Sequence, residues 1–421
     1  MRLAHVGDLH IGGARIEDHR AYLDAILADA LRAEPDLWLL TGDLWGTTVP
    51  HASTVAERAV LYPAIVRMAE VAPVVVVVGN HDSAADLAVL PHLGGRFPII
   101  VAAEGARLRV ETSAGVANVY ALPYPSRAWL LRDSDASGAE ARAATEAALS
   151  QLLTAWGAMI RARRARAPHE VHILAAHVQV SGAVVGGGGE VLDTGEITVP
   201  RSALDDLPID YGALGHLHIR QEAARRCWYA GSPWPTSHGG TVRRHGWNLV
   251  DVGGRGKPCG VPRNHDGSFD FGGGGDLPTY SPLRDPALCL PREVHHARLY
   301  PMLTPHRALL TLTWSWGEGG WLERPDHLDV AGAEVRCLLT VAEAFASSCP
   351  WPAELARVKA AGAERVVVER RTIPSTRVRA PAVAAAETPE AKLRAWWATL
   401  DTPPNEAIQA AAIDALRVDS A

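Results

Sequence analysis

Cysteine is scarce. The chain has five in 421 residues (Cys227, Cys259, Cys289, Cys337 and Cys349), an odd number, widely spaced and without a C-x-x-C pair. That excludes a disulfide framework and a thiolate zinc site, and a reducing cytoplasm is the expected setting. Long apolar runs are missing as well. None approaches the roughly 20 residues that span a bilayer, so no membrane partner is expected. The stretch from Met1 to Asp8 meets an acid before any apolar core develops, and no signal peptide is expected there. A basic excess is also lacking, since 41 Lys and Arg against 47 Asp and Glu leave a net charge of −6. Global charge therefore gives no sign of a nucleic-acid binder. Local arginine clusters exist at Arg161, Arg163, Arg164 and Arg166, at Arg225–Arg226, Arg243–Arg244 and Arg370–Arg371. Each is read first as a solvated helix or loop face. What remains, 48% hydrophobic and 21% charged residues in a chain too long for one typical core, predicts two or three soluble folding units.

Residues 1 to about 252 alternate between strand-like and helical patterns, which defines an α/β fold class. Strands are expected at Arg2–Val6, Leu37–Leu40, Val74–Val78, Val171–Ala175, Tyr211–Leu214, Trp228–Ala230 and Trp247–Val252. The run Val74 to Val78 is apolar at every position, the pattern of a strand buried on both faces. Helices are expected at Asp18–Ala33 and Ala139–Arg166, the second with Leu149, Leu152, Leu153, Trp156 and Ile160 recurring at helical spacing. Its Met and Trp residues read as core. Gly253 to Pro291, with four consecutive glycines at 272–275, reads as a linker or insertion. A small α/β unit follows, with strands at Ala308–Trp314, Val335–Val341 and Arg365–Glu369 and a helix at Ala353–Ala361 closed by Gly362. After an Ala/Pro-rich connector come two short helices, one capped by Thr388 with Pro389, the other by Thr402 with Pro403. Their stripes, Leu393, Trp396, Trp397 and Leu400, then Ile408, Ala412 and Leu416, are too small to form a core alone and must dock on something.

The chemistry lies where those strands end. Arg2–Val6 runs into Asp8 and His10, Leu37–Leu40 into Asp43, and the valine run into Asn80-His81-Asp82. Val171–Ala175 runs into His177, and Tyr211–Leu214 into His216 and His218. Ligands of open α/β sheets bind beyond the carboxyl ends of the strands, so these groups converge. Residues two apart in extended backbone point the same way, which would aim Asp8 with His10, and His216 with His218, into one pocket. Gly7, Gly42, Gly79 and Gly215 suit tight turns beneath a crowded site. Imidazoles with carboxylates and an amide, and no thiolate, suit Mn²⁺, Fe²⁺ or Zn²⁺ better than Ca²⁺. Two ions about 4 Å apart would clamp a phosphate, with a carboxylate as bridge. His5 and His172, inside strands, and His295 and His296, near the linker, read as ordinary hydrogen-bonded histidines.

The ordered set Asp-x-His, Gly-Asp, Gly-Asn-His-Asp, His and Gly-His-x-His resembles the calcineurin-like metallophosphoesterases. Within them it resembles the SbcD family, the nuclease component of the bacterial SbcCD double-strand-break nucleases. Leu122-Pro123-Tyr124-Pro125, Tyr211 to His216 and Tyr229-Ala230-Gly231-Ser232-Pro233 extend the likeness over residues 1 to about 252. The resemblance implies a β-sandwich flanked by helices (residues 1–252), a linker or insertion (253–303), a small α/β capping domain that binds DNA (304–378) and a connector with a helical tail (379–421). It implies one ion on Asp8, His10, Asp43 and His218, and a second on Asp43, Asn80, His177 and His216. His81 would be the catalytic histidine; Asp82 belongs to the motif with no assigned role. It further implies two Mn²⁺, or other divalent ions such as Mg²⁺, Fe²⁺ or Zn²⁺, and exonuclease and endonuclease action on DNA ends in repair, recombination and replication. The partners would be an SMC-like ABC ATPase of the SbcC type, bound by the tail, and a second copy of this chain, giving a homodimer within a heterotetramer. Gly46 departs from the family, where His or Asp is usual, and His51 is the candidate substitute. The Gly186 to Gly189 run is no phosphate-binding loop, because no Gly-Lys-Ser/Thr follows it.

The same metal set would serve a stand-alone phosphatase or phosphodiesterase acting on a non-DNA ester, and a scaffold keeping the fold without catalysis is a third reading. Degradation of linear duplex DNA with Mn²⁺ separates the first two.

Overall fold

The computed structural model describes residues 1–46, 53–125, 138–185, 197–236, 238, 245–253, 292–294, 297–374, 380–400 and 403–418. His51, Gly186 to Gly189, His295, His296, Thr402 and nearly all of the 253–291 segment lie outside them.

In chain order the strands are β1 (Arg2–Val6), β2 (Leu37–Leu40), β3 (Val74–Val77), β4 (Ile99–Ala102), β5 (Ala106–Thr112), β6 (Gly115–Leu122) and β7 (Val171–His177). They continue with β8 (Gln179–Val180), β9 (Thr198–Val199), β10 (Tyr211–Gly215), β11 (Gln221–Ala224), β12 (Cys227–Tyr229) and β13 (Gly246–Val252). After β14 (Arg292–Val294) and β15 (Ala297–Leu303) come β16 (Leu309–Gly317), β17 (Gly320–Glu323), β18 (Glu334–Ala342) and β19 (Arg365–Ile373). One sheet has the order β14-β15-β13-β1-β2-β3-β4, a second β11-β12-β10-β7-β6-β5. The inner strands β1 to β4 run parallel, as do β6, β7, β10 and β12.

The two sheets face each other across an apolar layer that includes Leu3, Leu39, Val75, Val77, Val119, Ile173 and Ala213. On the far side of the first sheet, Ala4, Val6, Trp38, Val74 and Val76 pack with Leu23, Ile26 and Leu61 of the helices Ile16–Ala33 and Val55–Ala69. The valine run is therefore buried on both faces, with alternate residues in two different cores. The second sheet packs its outer face against Leu149, Leu153, Trp156 and Ile160 of the helix Gly138–Arg166. Met159, one residue from Ile160 and so turned off that stripe, is 41% exposed and does not belong to the core.

Several elements were not expected. The strands β4 and β5 carry mixed exposure, with β5 mostly alternating half-buried and exposed residues, so no long apolar run announced them, and β6, buried from Ala117 to Leu122, is interrupted by Asn118. The helix Val55–Ala69 starts at a capping box: the Thr54 hydroxyl accepts from Glu57 N at 3.2 Å and Thr54 N donates to Glu57 Oε2 at 2.7 Å.

The described residues fall into two compact units. One comprises Met1–Thr311, Leu328–Arg336 and Arg357–Val367; the other Leu312–His327, Cys337–Ala356 and Val368–Ala421. The later strands form a sheet of order β17-β16-β18-β19. In the second unit the Trp314 indole donates to Glu354, which also pairs with Arg324. The helix Pro389–Trp397 begins as expected, the Thr388 hydroxyl accepting from Ala391 N. The last helix instead spans Glu406–Val418 and is capped by Asn405, whose Oδ1 accepts from Ile408 N at 3.0 Å. Pro404 disfavours helical backbone at Pro403, which favours the later start. Of the two tail stripes, Trp397 is buried while Trp396 and Ile408 are 48% and 56% exposed; Ile413 of the last helix is also buried. No helix among the described residues is long and apolar enough to cross a membrane.

Candidate metal centre

Because β1, β2 and β3 run parallel in one sheet, and β7 and β10 in the other, their carboxyl ends open at one end of the sandwich. Three overlapping groups form there: Asp8, His10 and His218; His10, Asp43 and His81; and Asp43, His177 and His216. Within each, the candidate donor atoms lie within 4.8 Å of one another. Asn80 joins through Oδ1, 2.9 Å from His177 Nε2 and 3.1 Å from His216 Nδ1. The structure thus brings every expected site residue together.

Asp43 is common to two of the groups, one oxygen toward each. Its Oδ2 is 3.6 Å from His10 Nε2 and 3.9 Å from His81 Nε2, and its Oδ1 is 3.4 Å from His177 Nε2. Asp8 is buried; Oδ1 accepts from His216 N at 2.8 Å, while Oδ2 has no hydrogen-bond partner. A buried carboxylate oxygen left bare costs heavily unless a cation or proton satisfies it.

The titration behaviour agrees. Burial pushes the Asp8 carboxyl up to about 7. Burial, with the His218 ring beside it, lowers His10 to about 3, and burial lowers His218 to about 4. Both rings are therefore neutral with their Nε2 atoms 2.9 Å apart, so at least one lone pair points into the cluster. Burial alone would lower His177, but the Asp43 carboxylate outweighs it and lifts His177 to about 9; in return Asp43 is held below the usual carboxylate range. The far sides of two rings are fixed too. His177 Nδ1 donates to the Thr41 carbonyl at 2.7 Å, and His218 Nδ1 meets Thr236 Oγ1 at 3.0 Å. Such outer hydrogen bonds leave Nε2 free to bind a metal. Imidazole nitrogen, carboxylate oxygen and one amide oxygen, with an unsatisfied buried acid among them, fit divalent transition ions.

The backbone beneath the site differs from expectation. Asp8, His10, Asp43 and His216 have φ of 53°, 46°, 53° and 105°, left-handed values that side chains avoid. Asp8 and His10 share a pocket through this turn, not through extended backbone. Asp8 N donates to Gly42 O and His10 N to Asp43 O, pinning the loop after β1 to the loop after β2. Each such residue stores about 1–3 kcal/mol of strain, tolerated where surrounding contacts over-determine it. The glycines serve close approach as much as turning: a Cβ on Gly79 would strike Asp43, and one on Gly215 the Thr41 carbonyl. Gly46 behaves likewise, since its Cβ would lie 2.8 Å from the His10 carbonyl, and its N–H donates to Ile11 O.

Two residues have roles that motif reading left blank. Asp82 is buried, and its carboxylate accepts from Gly79 N and Asp43 N at 2.9 Å, Leu44 N at 2.8 Å and Trp45 N at 3.4 Å. It ties the loop after β3 to the loop after β2. Burial, with Asp43 nearby, lifts its carboxyl to about 6. Ser232 donates to Asp8 O at 3.0 Å from the Gly-Ser-Pro segment, underpinning the first ligand loop. His5 and His172 are buried within strands, as expected of core histidines.

The profile of the calcineurin-like phosphoesterase family matches residues 1–220, and the chain belongs to that family. It is a metal-dependent phosphoester hydrolase. Among individual relatives, the chain is 32% identical over 290 residues to the SbcD component of the nuclease SbcCD of Rhodobacter capsulatus, covering 62% of this chain and 69% of that protein. This identity and coverage place it with the SbcD nucleases of the family. A solved structure, GAP50 of the Plasmodium inner membrane complex, aligns with 13% identity and a TM-score of 0.37 over 59% of this chain and 80% of that one.

Proposed function

We propose that this chain is the nuclease component of a DNA-end-processing complex, hydrolysing phosphodiester bonds with two divalent ions, Mn²⁺ foremost. The observation that carries the reading is Asp43, with one oxygen toward His10 and the other toward His177. Asp8, His10, Asp43 and His218 hold one ion, and Asp43, Asn80, His177 and His216 the other. When bound, the ions supply Lewis acidity, neutralising the phosphate and activating a water nucleophile. The chain's residues do the rest. Asp43 fixes the spacing between the two ligand groups, and Asp82 holds Asp43 and Asn80 in register through backbone N–H groups. His81 lies edge-on to His10 at 4.8 Å between ring centroids, and it is half-buried, whereas His177 is fully buried. That position suits a group that meets the substrate, stabilising the transition state or protonating the leaving oxygen.

The nuclease domain occupies 1–252, the capping domain that grips DNA 304–378, and the tail within 379–421 binds an SMC-like ABC ATPase in the cytoplasm. Exposed Trp396 and Ile408 support the tail assignment, since such side chains anchor interfaces. A homodimer within a heterotetramer follows from the same kinship. The test is linear duplex DNA with Mn²⁺: stepwise degradation supports the reading, while hydrolysis of nitrophenyl esters with intact DNA supports a stand-alone phosphatase. Loss of ATPase co-purification on deleting residues 388–421 tests the tail.

A further inference from the structure

The metal ligands come from two different sheets, so the spacing between the sheets sets the spacing between ligands. β1 to β3 carry Asp8, His10, Asp43 and Asn80, and β7 and β10 carry His177, His216 and His218. Between the sheets the packing is apolar, built from residues such as Leu3, Leu39, Ala213 and Val250. His5 interrupts it. It sits on β1 opposite Asn248 of β13, fully buried, and reaches across to the second sheet. Its Nε2 lies 3.2 Å from the Leu214 carbonyl and 3.2 Å from Thr41 Oγ1, and its Nδ1 lies 2.9 Å from the Tyr211 hydroxyl. A nitrogen facing a carbonyl must carry the proton, so Nε2–H donates to Leu214 O and Nδ1 accepts from Tyr211 O–H.

Two of the three residues that His5 contacts lead directly into ligands. Leu214 precedes Gly215-His216, and the Thr41 carbonyl receives the Nδ1–H of His177 at 2.7 Å. Thr41 is itself wedged between sheets: a Cβ on Gly7 would meet its hydroxyl at 2.6 Å, and Gly215 backs onto its carbonyl. We propose that His5 is a positioning residue for the metal centre, a polar strut that locks the carboxyl ends of β1, β2 and β10 together and thereby sets how His177 and His216 face Asp43. The inference rests on the two-metal reading above. It gives a physical reason for a bulky polar group where apolar packing alone would hold the sheets.

The test compares Mn²⁺ binding by calorimetry, kcat and KM on duplex DNA, and melting temperature for the wild type and His5→Phe, which keeps a ring but loses both nitrogens. The expected result is Mn²⁺ affinity lowered about tenfold, the size typical of lost outer-shell support. The loss should fall on kcat and KM should hold, with the melting temperature lowered by the buried Tyr211 hydroxyl left without its acceptor. His5→Gln, which restores a donor toward Leu214, should recover part of the affinity. If His5→Phe does not fold, His5→Phe/Tyr211→Phe removes the orphaned hydroxyl as well and serves in its place. Unchanged Mn²⁺ affinity and kcat in the folded variant, with or without a drop in melting temperature, would overturn the strut. A wild-type protein that binds no Mn²⁺ would instead overturn the two-metal reading itself.

Discussion

The two ends of the strand sandwich handle buried acid in opposite ways. At the amino ends of β7 and β10, Glu170 is gripped by Arg163 and Asn118, and Asp210 by Arg164. Charge there is balanced inside the chain. At the carboxyl ends, Asp8, Asp43 and Asp82 are buried with no arginine or lysine ion pair among the described residues; His177 pairs with Asp43, while the imidazoles His10 and His218 beside them are neutral. The first end is finished as folded, whereas the second is built to be completed by cations. Backbone strain follows the same division, since four of the non-glycine residues with positive φ stand at the second end.

The contrast can be broken most sharply at Asp43. Asp43→Asn should abolish two-ion binding and lower DNA cleavage by about 10³-fold or more, some 4 kcal/mol of barrier. Its melting temperature in chelator should fall, because the carboxylate that pairs with His177 is lost. Wild-type rates in that variant would end the bridging assignment. His81→Gln should retain metal yet cut the rate by about 10²–10⁴-fold, the range for lost acid–base assistance. An unchanged rate in the metal-loaded variant would show that His81 does no chemistry. Mn²⁺ itself should raise the melting temperature, since an ion at 100 times its Kd adds about 2.7 kcal/mol to the native state. A melt insensitive to Mn²⁺ and to chelator would erase the difference between the ends.

The opposite end should respond to acid instead. Arg163, with Asn118, holds Glu170 at about 2, below its ordinary 4.5. A depressed carboxyl stabilises the fold above its unfolded value, so stability should be fully present above pH 4.5 and fall as the pH drops toward 2. Arg163→Ala should lower the melting temperature at neutral pH by leaving Glu170 with Asn118 alone, flatten that acid limb and spare metal binding. Lost Mn²⁺ affinity in this variant would show that the two ends are coupled. The smallest effect is expected from Trp396→Ala, an exposed tail side chain, which should leave rate and melting temperature unchanged when the chain is assayed alone.

Much of the centre was legible because strand signals and metal-binding side chains were adjacent in sequence. An all-apolar valine run fixes where Asn80 and His81 begin, and β1 and β2 match their expected bounds. What periodicity cannot carry is handedness: nothing in Asp8-Leu9-His10 reports φ near 50°, which arises from hydrogen bonds to residues over thirty positions away. Asp82 looked like one more acid because its partners are backbone N–H groups, invisible in a side-chain motif. His5 read as a core residue from its place in a strand; burial is right, but its reach to the neighbouring sheet is tertiary. The capping box at Thr54 and Glu57 is a sequence-level signal too, while Asn405 caps the last helix because Pro404 disfavours helical backbone at Pro403.

The glycines under the centre carry a further consequence. With Gly79 against Asp43 and Gly215 against Thr41, the floor of the pocket has no room for any added atom. Adaptation to another ion or another ester therefore has to proceed from the open rim, where Tyr124 and His81 stand, leaving the floor a fixed foundation on which different chemistries are mounted.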